Sequence, residues 1–243
     1  MITDALTTPK TDAGSYTANA IGLSNPDYKL PADTEKPFTI AQLEAVLNWE
    51  GDSFTYNGSA QGPKASVDNR AAGDACDVVL DGESTPKTDA GSYIARAVSL
   101  SNPNYKLPAN TEQPYTIAQL EAVLNWEGDS FTYNAKAQGP AAKVDNRQGT
   151  DSCEVTLRGA PEVNAGSYTA EAVSLSNPNY KLPADVTKPY TIAKKLAVFA
   201  WDQNEFRYDR NPHLPKIWIK NLEPEDADTV VYTEGEEQIH AGS

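Results

Sequence analysis

The sequence is poor in the side chains that carry most enzymatic and metal chemistry. Its 243 residues hold two histidines, two cysteines and one methionine. His213 and His240 lie far along the chain from Cys76 and Cys153, and such a set does not form the usual Cys/His spacings of a zinc site. No Asp-x-Asp-x-Asp-Gly loop with a distal Glu occurs, so acidic clusters such as Asp74-Ala75-Cys76-Asp77 read as solvated surface rather than calcium ligands. No apolar run approaches the ~20 residues of a membrane span, which argues against membrane insertion. The opening residues, Met1-Ile2-Thr3-Asp4-Ala5-Leu6, lack the basic-then-apolar order of a secretory leader. Positive charge is also short: 20 Lys and Arg stand against 34 Asp and Glu, a formal net charge of −14. A chain this acidic repels phosphate backbones and anionic membranes, so nucleic acid is not an expected partner.

Turn formers, by contrast, are plentiful. There are 15 Gly and 17 Pro, spread along the chain, and 39% of residues are hydrophobic, enough for modest cores. Short elements separated by turns predict an all-β protein. The organising fact is repetition. Residues 39–57, TIAQLEAVLNWEGDSFTYN, recur verbatim at 116–134, and residues 97–109, AVSLSNPNYKLPA, recur at 172–184. Landmarks then fall in threes: Trp49, Trp126 and Trp201; Phe54/Tyr56, Phe131/Tyr133 and Phe206/Tyr208; and Ala-Gly-Ser-Tyr ending at Tyr16, Tyr93 and Tyr168. Ala241-Gly242-Ser243 repeats the start of that last landmark. The phasing predicts a partial repeat over 1–40 (the back half), complete repeats over 45–118 and 122–193, and a divergent partial repeat over 196–243 (the front half).

Within a repeat, Phe54-Thr55-Tyr56 alternates apolar and polar and reads as a strand. Val78-Val79-Leu80 runs into an Asp81-Gly82 turn. Residues 93–100 alternate with period two, and the Arg96-to-Glu171 exchange between copies marks an exposed position. Residues 41–47 are built from helix formers, yet the third copy, Leu196-Ala197-Val198-Phe199, looks like strand. Strand is the expectation, with a short helical turn as the alternative. Asp89-x-Gly91-x-Tyr93 at a strand start has the spacing of the tyrosine corner of immunoglobulin-type sandwiches. Alanines (Ala18, Ala95, Ala170) stand where antibody domains carry a cysteine.

Taken together, Asn48-Trp49 with Phe54-x-Tyr56-Asn57-Gly58, then Asp12-Ala13-Gly14-Ser15-Tyr16-Thr17-Ala18, then Leu100-Ser101-Asn102-Pro103-Asn104-Tyr105-Lys106-Leu107-Pro108, then Lys188-Pro189-Tyr190-Thr191-Ile192 resemble the tandem repeats called MBG or YDG domains. Those occur in large bacterial surface and adhesin-like proteins. The resemblance implies small all-β modules, immunoglobulin-like or β-grasp-like, arranged as beads on a string, and it brings no catalytic residues. The final half-unit departs most, with Tyr208-Asp209-Arg210 in place of Tyr56-Asn57-Gly58.

The remaining leads point away from chemistry. Cys76 and Cys153 lie 77 residues apart, at the same place in successive repeats, and Asp228 holds that place in the third. Equivalent points of neighbouring modules lie beyond the ~7 Å Cα separation that a disulfide tolerates, so two free thiols are expected. Gly51-Asp52-Ser53-Phe54 suggests a hydrolase nucleophile block, but the third copy replaces it with Asp202-Gln203-Asn204-Glu205-Phe206, which a turn accepts and a nucleophile does not. The expectation is a protein without enzymatic activity, metal or cofactor. The resemblance implies a secreted or cell-surface stalk that projects a distal domain, with a signal peptide and anchor outside these residues. The alternative is repeats that themselves bind host protein or glycan. The expected partners are neighbouring repeats, and the two partial repeats could complement each other head to tail between chains.

Overall fold

The computed structural model describes residues 9–202 and 205–227. It divides into two compact units, Met1–Leu120 and Glu121–Ser243. Each unit joins one complete repeat to one partial repeat. Strand is the only regular secondary structure among the described residues, so the fold is all-β. The helix that a β-grasp module would need is not present among them. Residues 41–47 resolve into two short strands instead, broken at Ala45, which is fully buried.

The first unit opens with a hairpin of β1 (Gly14–Asn19) and β2 (Glu35–Ile40). The short β3 (Leu43–Glu44) leads into the first complete repeat, which holds β4 (Leu47–Glu50), β5 (Ser53–Thr55), β6 (Lys64–Val67), β7 (Val78–Leu80), β8 (Gly91–Leu100), β9 (Tyr105–Lys106) and β10 (Glu112–Ala118). Its main sheet has the order β5-β10-β8-β7. All neighbours are antiparallel except β5 and β10, which run parallel with Phe54 opposite Ile117. The first strand of this sheet therefore pairs with the last, and the repeat closes on itself. A second layer is made of β4 paired with β6, and β3 paired parallel with β9.

The second unit repeats this plan with β11 (Leu120–Glu121), β12 (Leu124–Glu127), β13 (Ser130–Thr132), β14 (Ala141–Val144), β15 (Val155–Arg158), β16 (Gly166–Leu175), β17 (Tyr180–Lys181) and β18 (Thr187–Ala193). Its main sheet, β13-β18-β16-β15, has the same parallel edge. The same irregularity recurs too, at Val79/Leu80 in one repeat and Thr156/Leu157 in the other. The unit ends with β19 (Phe199–Trp201) paired to β20 (Ile217–Ile219), the counterpart of β4 with β6.

The period-two rhythm of β8 sends Tyr93, Ala95 and Ala97 to the inner face and Ile94, Arg96 and Val98 to solvent. The inner alanines are small because aromatic rings fill the space above them. Tyr115 from β10 lies under Tyr93, with ring centroids 5.5 Å apart, and meets the Phe54 ring edge-on at 6.2 Å. Tyr190, Tyr168 and Phe131 repeat the arrangement at the same distances. A second small core joins Ala45, Val67, Cys76 and Tyr105, with Leu47, Val78 and Leu100 packed around it.

Candidate functional site

The landmarks that the repetition singled out are structural in their surroundings. Each corner tyrosine donates its hydroxyl to the carbonyl four residues earlier: Tyr16 to Asp12, Tyr93 to Asp89 and Tyr168 to Asn164, all at 2.9 Å. The ring folds back over the intervening glycine, so a Cβ at Gly91 would stand 2.9 Å from the Tyr93 hydroxyl. This is why glycine precedes Ser-Tyr in every copy. The ring is half-buried rather than inside the core; Tyr115 and Tyr190 fill the core instead.

A second tyrosine forms a clasp between parts of a repeat. Asn102 opens a turn in which its side chain accepts from the Asn104 N–H at 2.9 Å. The turn delivers Tyr105 into the second core, where its hydroxyl donates to Asp74 at 2.9 Å and accepts from the Ala71 N–H at 2.7 Å. Tyr180 does the same with Asp151 at 2.8 Å and the Gln148 N–H at 2.7 Å. The Ala71 N–H lowers the pKa of Tyr105, but removal from water and the Asp74 carboxylate together raise it above its ordinary value. For Tyr180, removal from water leads the upward shift, opposed by the Gln148 N–H and reinforced by Asp151. Both hydroxyls thus remain protonated donors across the neutral and mildly alkaline range.

The turn is also held from outside. The Leu43 N–H donates to the Asn104 carbonyl and the Ala45 N–H to the Lys106 carbonyl, each at 2.9 Å. The Gln42 side chain reaches the Pro103 carbonyl at 2.8 Å. From the preceding partial repeat, the Ala13 N–H donates to the Asn104 side-chain oxygen at 2.7 Å, and the Asn104 amide donates to Asp12 at 3.0 Å. Successive repeats in the first unit are therefore joined by a polar seam.

Sequence reasoning missed one recurrent residue. Asn69 accepts from the Val46 N–H and donates to the Glu44 carbonyl. Asn146 makes the same pair of bonds with Val123 and Glu121, and Asn221 with Val198 and Leu196. The divergent partial repeat keeps this lock although its flanking residues differ, Lys220 and Leu222 against Asp68 and Arg70. The signal was an asparagine at constant phase in all three copies, obscured by the change in its neighbours.

Within each unit, the described residues gather no cluster of chemically capable side chains. Cys76 and Cys153 are both free and buried, each in its own repeat. Gly51 and Gly128 have φ of 81° and 82°, the left-handed conformation of a tight turn, and Ser53 and Ser130 simply begin β5 and β13. Asp52 uses its backbone carbonyl to accept from the Thr116 N–H at 2.9 Å, as Asp129 does for Thr191 at 3.0 Å. His213 stacks on Phe206 at 4.9 Å and pairs with Asp209 at 2.7 Å. The Asn211 N–H, the Asn211 side chain and His213 together hold the Asp209 carboxyl down at about 2. His240, Asp228 and the closing Ala241-Gly242-Ser243 lie outside the described residues. No group of three or more His, Cys, Asp or Glu side chains suited to a metal occurs among the described residues.

Trp49 and Trp126 are half-buried, and Trp126 packs against the cluster of Ala170, Tyr190 and Ile192. Phe54, Phe131 and Tyr133 are likewise half-buried, and Tyr56 is buried. In the last partial repeat Trp201, Phe206 and Tyr208 are exposed. Near these exposed rings the second unit holds a cleft of about 310 Å³ lined by Tyr133, Asn164, Ala165, residues 194–197, Glu223 and Asp226.

Two repeats with the same strand order, the same parallel sheet edge and the same corner tyrosines define a tandem-repeat β protein. Residues 49–114 match the MBG domain family, and the first complete repeat is an MBG-type repeat. Neither a curated protein nor a solved structure matches the chain.

Proposed function

We propose that these repeats are non-catalytic spacer modules of a bacterial surface protein, which hold a distal domain away from the cell. The observation that carries this reading is the parallel pairing of β5 with β10 and of β13 with β18. A repeat whose first and last sheet strands run side by side in the same direction hands the chain on in the direction in which it entered. Such bodies can be strung one after another, and length then grows with copy number because each body touches only its neighbours. The burial or half-burial of the recurring aromatics in the two complete repeats supports the same reading, since those rings pack within the repeats. The acidic composition suits an exposed, non-adhesive surface.

The adhesive alternative requires a surface that the copies share. Of the outward apolar residues of the first repeat, Val79 and Ile94 are replaced by Thr156 and Thr169 in the second, and only Val46 and Val98 recur as exposed valines, Val123 and Val173, so the patch is only partly reproduced. Chains carrying one, two and three added copies of residues 45–118 test the proposal. Small-angle scattering should give a constant increment in maximum dimension per copy. A particle that thickens instead of lengthening contradicts the spacer reading. Saturable binding to matrix proteins or glycans that scales with copy number favours adhesion.

A further inference from the structure

Among the described residues, the cleft in the second unit is an unfilled counterpart of a seat that is filled in the first. In the first repeat, the turn at residues 102–106 is gripped by Asp12 and Ala13, by residues 42–45, and by Asp74 and the Ala71 N–H. At the same repeat positions the second unit has Asn164 and Ala165, residues 194–197, Asp226 and Glu223, and all of these line the cleft. Alanine at the centre of the grip is buried where the seat is filled, at Ala45 and Ala122, and exposed at Ala197. Leu196 beside it is 87% exposed. Asp226 already accepts the Tyr133 hydroxyl through one oxygen at 2.6 Å; no described residue bonds the other.

The same chain carries an unused key. Residues 25–29, Asn-Pro-Asp-Tyr-Lys, are the partial-repeat counterpart of the gripped turn. The turn is preformed: the Asp27 N–H donates to the Asn25 side chain at 3.0 Å and the Tyr28 N–H to the Asn25 carbonyl at 3.3 Å. Tyr28 is nevertheless 71% exposed, whereas Tyr105 and Tyr180 are 4% and 3% exposed. The polar partners match by exchange. Where the seam of the first unit sets Asp12 against Asn104, the cleft offers Asn164 and the key offers Asp27. Acceptor and donor change sides and remain complementary. The β2 edge beside the key is also open, and the segment that its counterparts pair with is Glu205-Phe206-Arg207, described here without strand pairing.

We propose that residues 25–29 of a second copy of this chain dock in the cleft at residues 194–226, with Tyr28 directed to Asp226 and the Glu223 N–H, so that the two partial repeats complete one repeat between chains. The interface is heterologous and does not close on itself, so association propagates head to tail.

Sedimentation velocity on residues 1–243 over a wide concentration range provides the test. The expected result is a concentration-dependent series of dimers and longer species. Tyr28→Ala, at a site exposed within its own chain, should leave the circular dichroism spectrum unchanged and weaken association at least tenfold. Leu196→Glu distinguishes this docking from unspecific apolar contact. It restores the carboxylate that Lys106 meets at Glu44 at 3.1 Å, now for Lys29, and should leave association undiminished. A strictly monomeric chain at every concentration, association indifferent to Tyr28→Ala, or association lost in Leu196→Glu overturns the proposal.

Discussion

The complete repeat at 45–118 and the partial repeat at 1–40 carry nearly the same back half, yet that half does different things in the two places. In both, the hairpin forms with the same register: Tyr16 faces Phe38 as Tyr93 faces Tyr115. In both, the corner hydroxyl bond measures 2.9 Å. The burial diverges. Tyr115 is 2% exposed and its counterpart Phe38 is 42% exposed. Ala95 is sealed and Ala18 is open. Local backbone chemistry is thus sufficient for the hairpin and the corner, whereas the core exists only where a front half lays β5 and its Phe54 ring alongside. The core of this repeat is a product of chain ends meeting, and most of its stability resides in those long-range contacts.

The largest test of that contrast is truncation of the paired aromatics. Tyr115→Ala removes a buried ring and a hydroxyl that donates to the Ser84 carbonyl, and should cost about 3–5 kcal/mol. Phe38→Ala in the partial repeat should cost less than about 1 kcal/mol. Urea unfolding of each variant gives both numbers, and equal losses would break the comparison. The corner should behave in the opposite way, because it is local. Gly91→Ala drives a methyl into the Tyr93 ring and should cost about 1–2 kcal/mol through loss of the corner bond. Gly14→Ala meets the Tyr16 hydroxyl at 3.1 Å and should loosen its hairpin similarly, read as faster amide exchange in β1.

The smallest effect concerns the surface. Arg96 faces Glu112 across β8 and β10 and pairs with it at 3.1 Å, whereas Glu171 faces Arg158 across β15 and β16 and pairs with it there. Thr187 stands where Glu112 would have opposed Glu171. The Arg-to-Glu exchange between copies is therefore compensated by a change of partner strand. Arg96→Glu alone sets like charges opposite each other and should destabilise by about 0.5–1 kcal/mol, and adding Glu112→Arg should recover most of it. Thermal unfolding at low and moderate salt resolves the pair, with the difference shrinking as salt rises.

The sequence made some of this legible and concealed the rest for physical reasons. Repetition exposed the period of the sequence, the corner tyrosines and the equivalence of the cysteines, because identical residues at constant phase need no three-dimensional knowledge. The all-β class followed from alternation and turn density. The parallel closure of β5 on β10 was not readable, since Ser-Phe-Thr and Thr-Ile-Ala carry strand propensity but nothing that names a partner some sixty residues away. Residues 41–47 looked helical by composition; pairing with β9 and β6 overrode that preference. The seam was hidden in plain turn residues. Asn102-Pro103-Asn104 reads as a turn in any protein, and only the structure assigns its amide groups to Asp12 and Ala13. The apolar landmarks were legible as recurring residues, but their place as core or exposed ring depended on which half-repeats were neighbours.

The most direct measurement is native-state hydrogen exchange at dilution, comparing the amides of β2 with those of β10 in the same sample. The account predicts that β10 exchanges only through global opening of its repeat, while β2, with one edge open, exchanges orders of magnitude faster. Equal protection of the two strands in a demonstrably monomeric chain would mean that the half-repeat holds a core of its own.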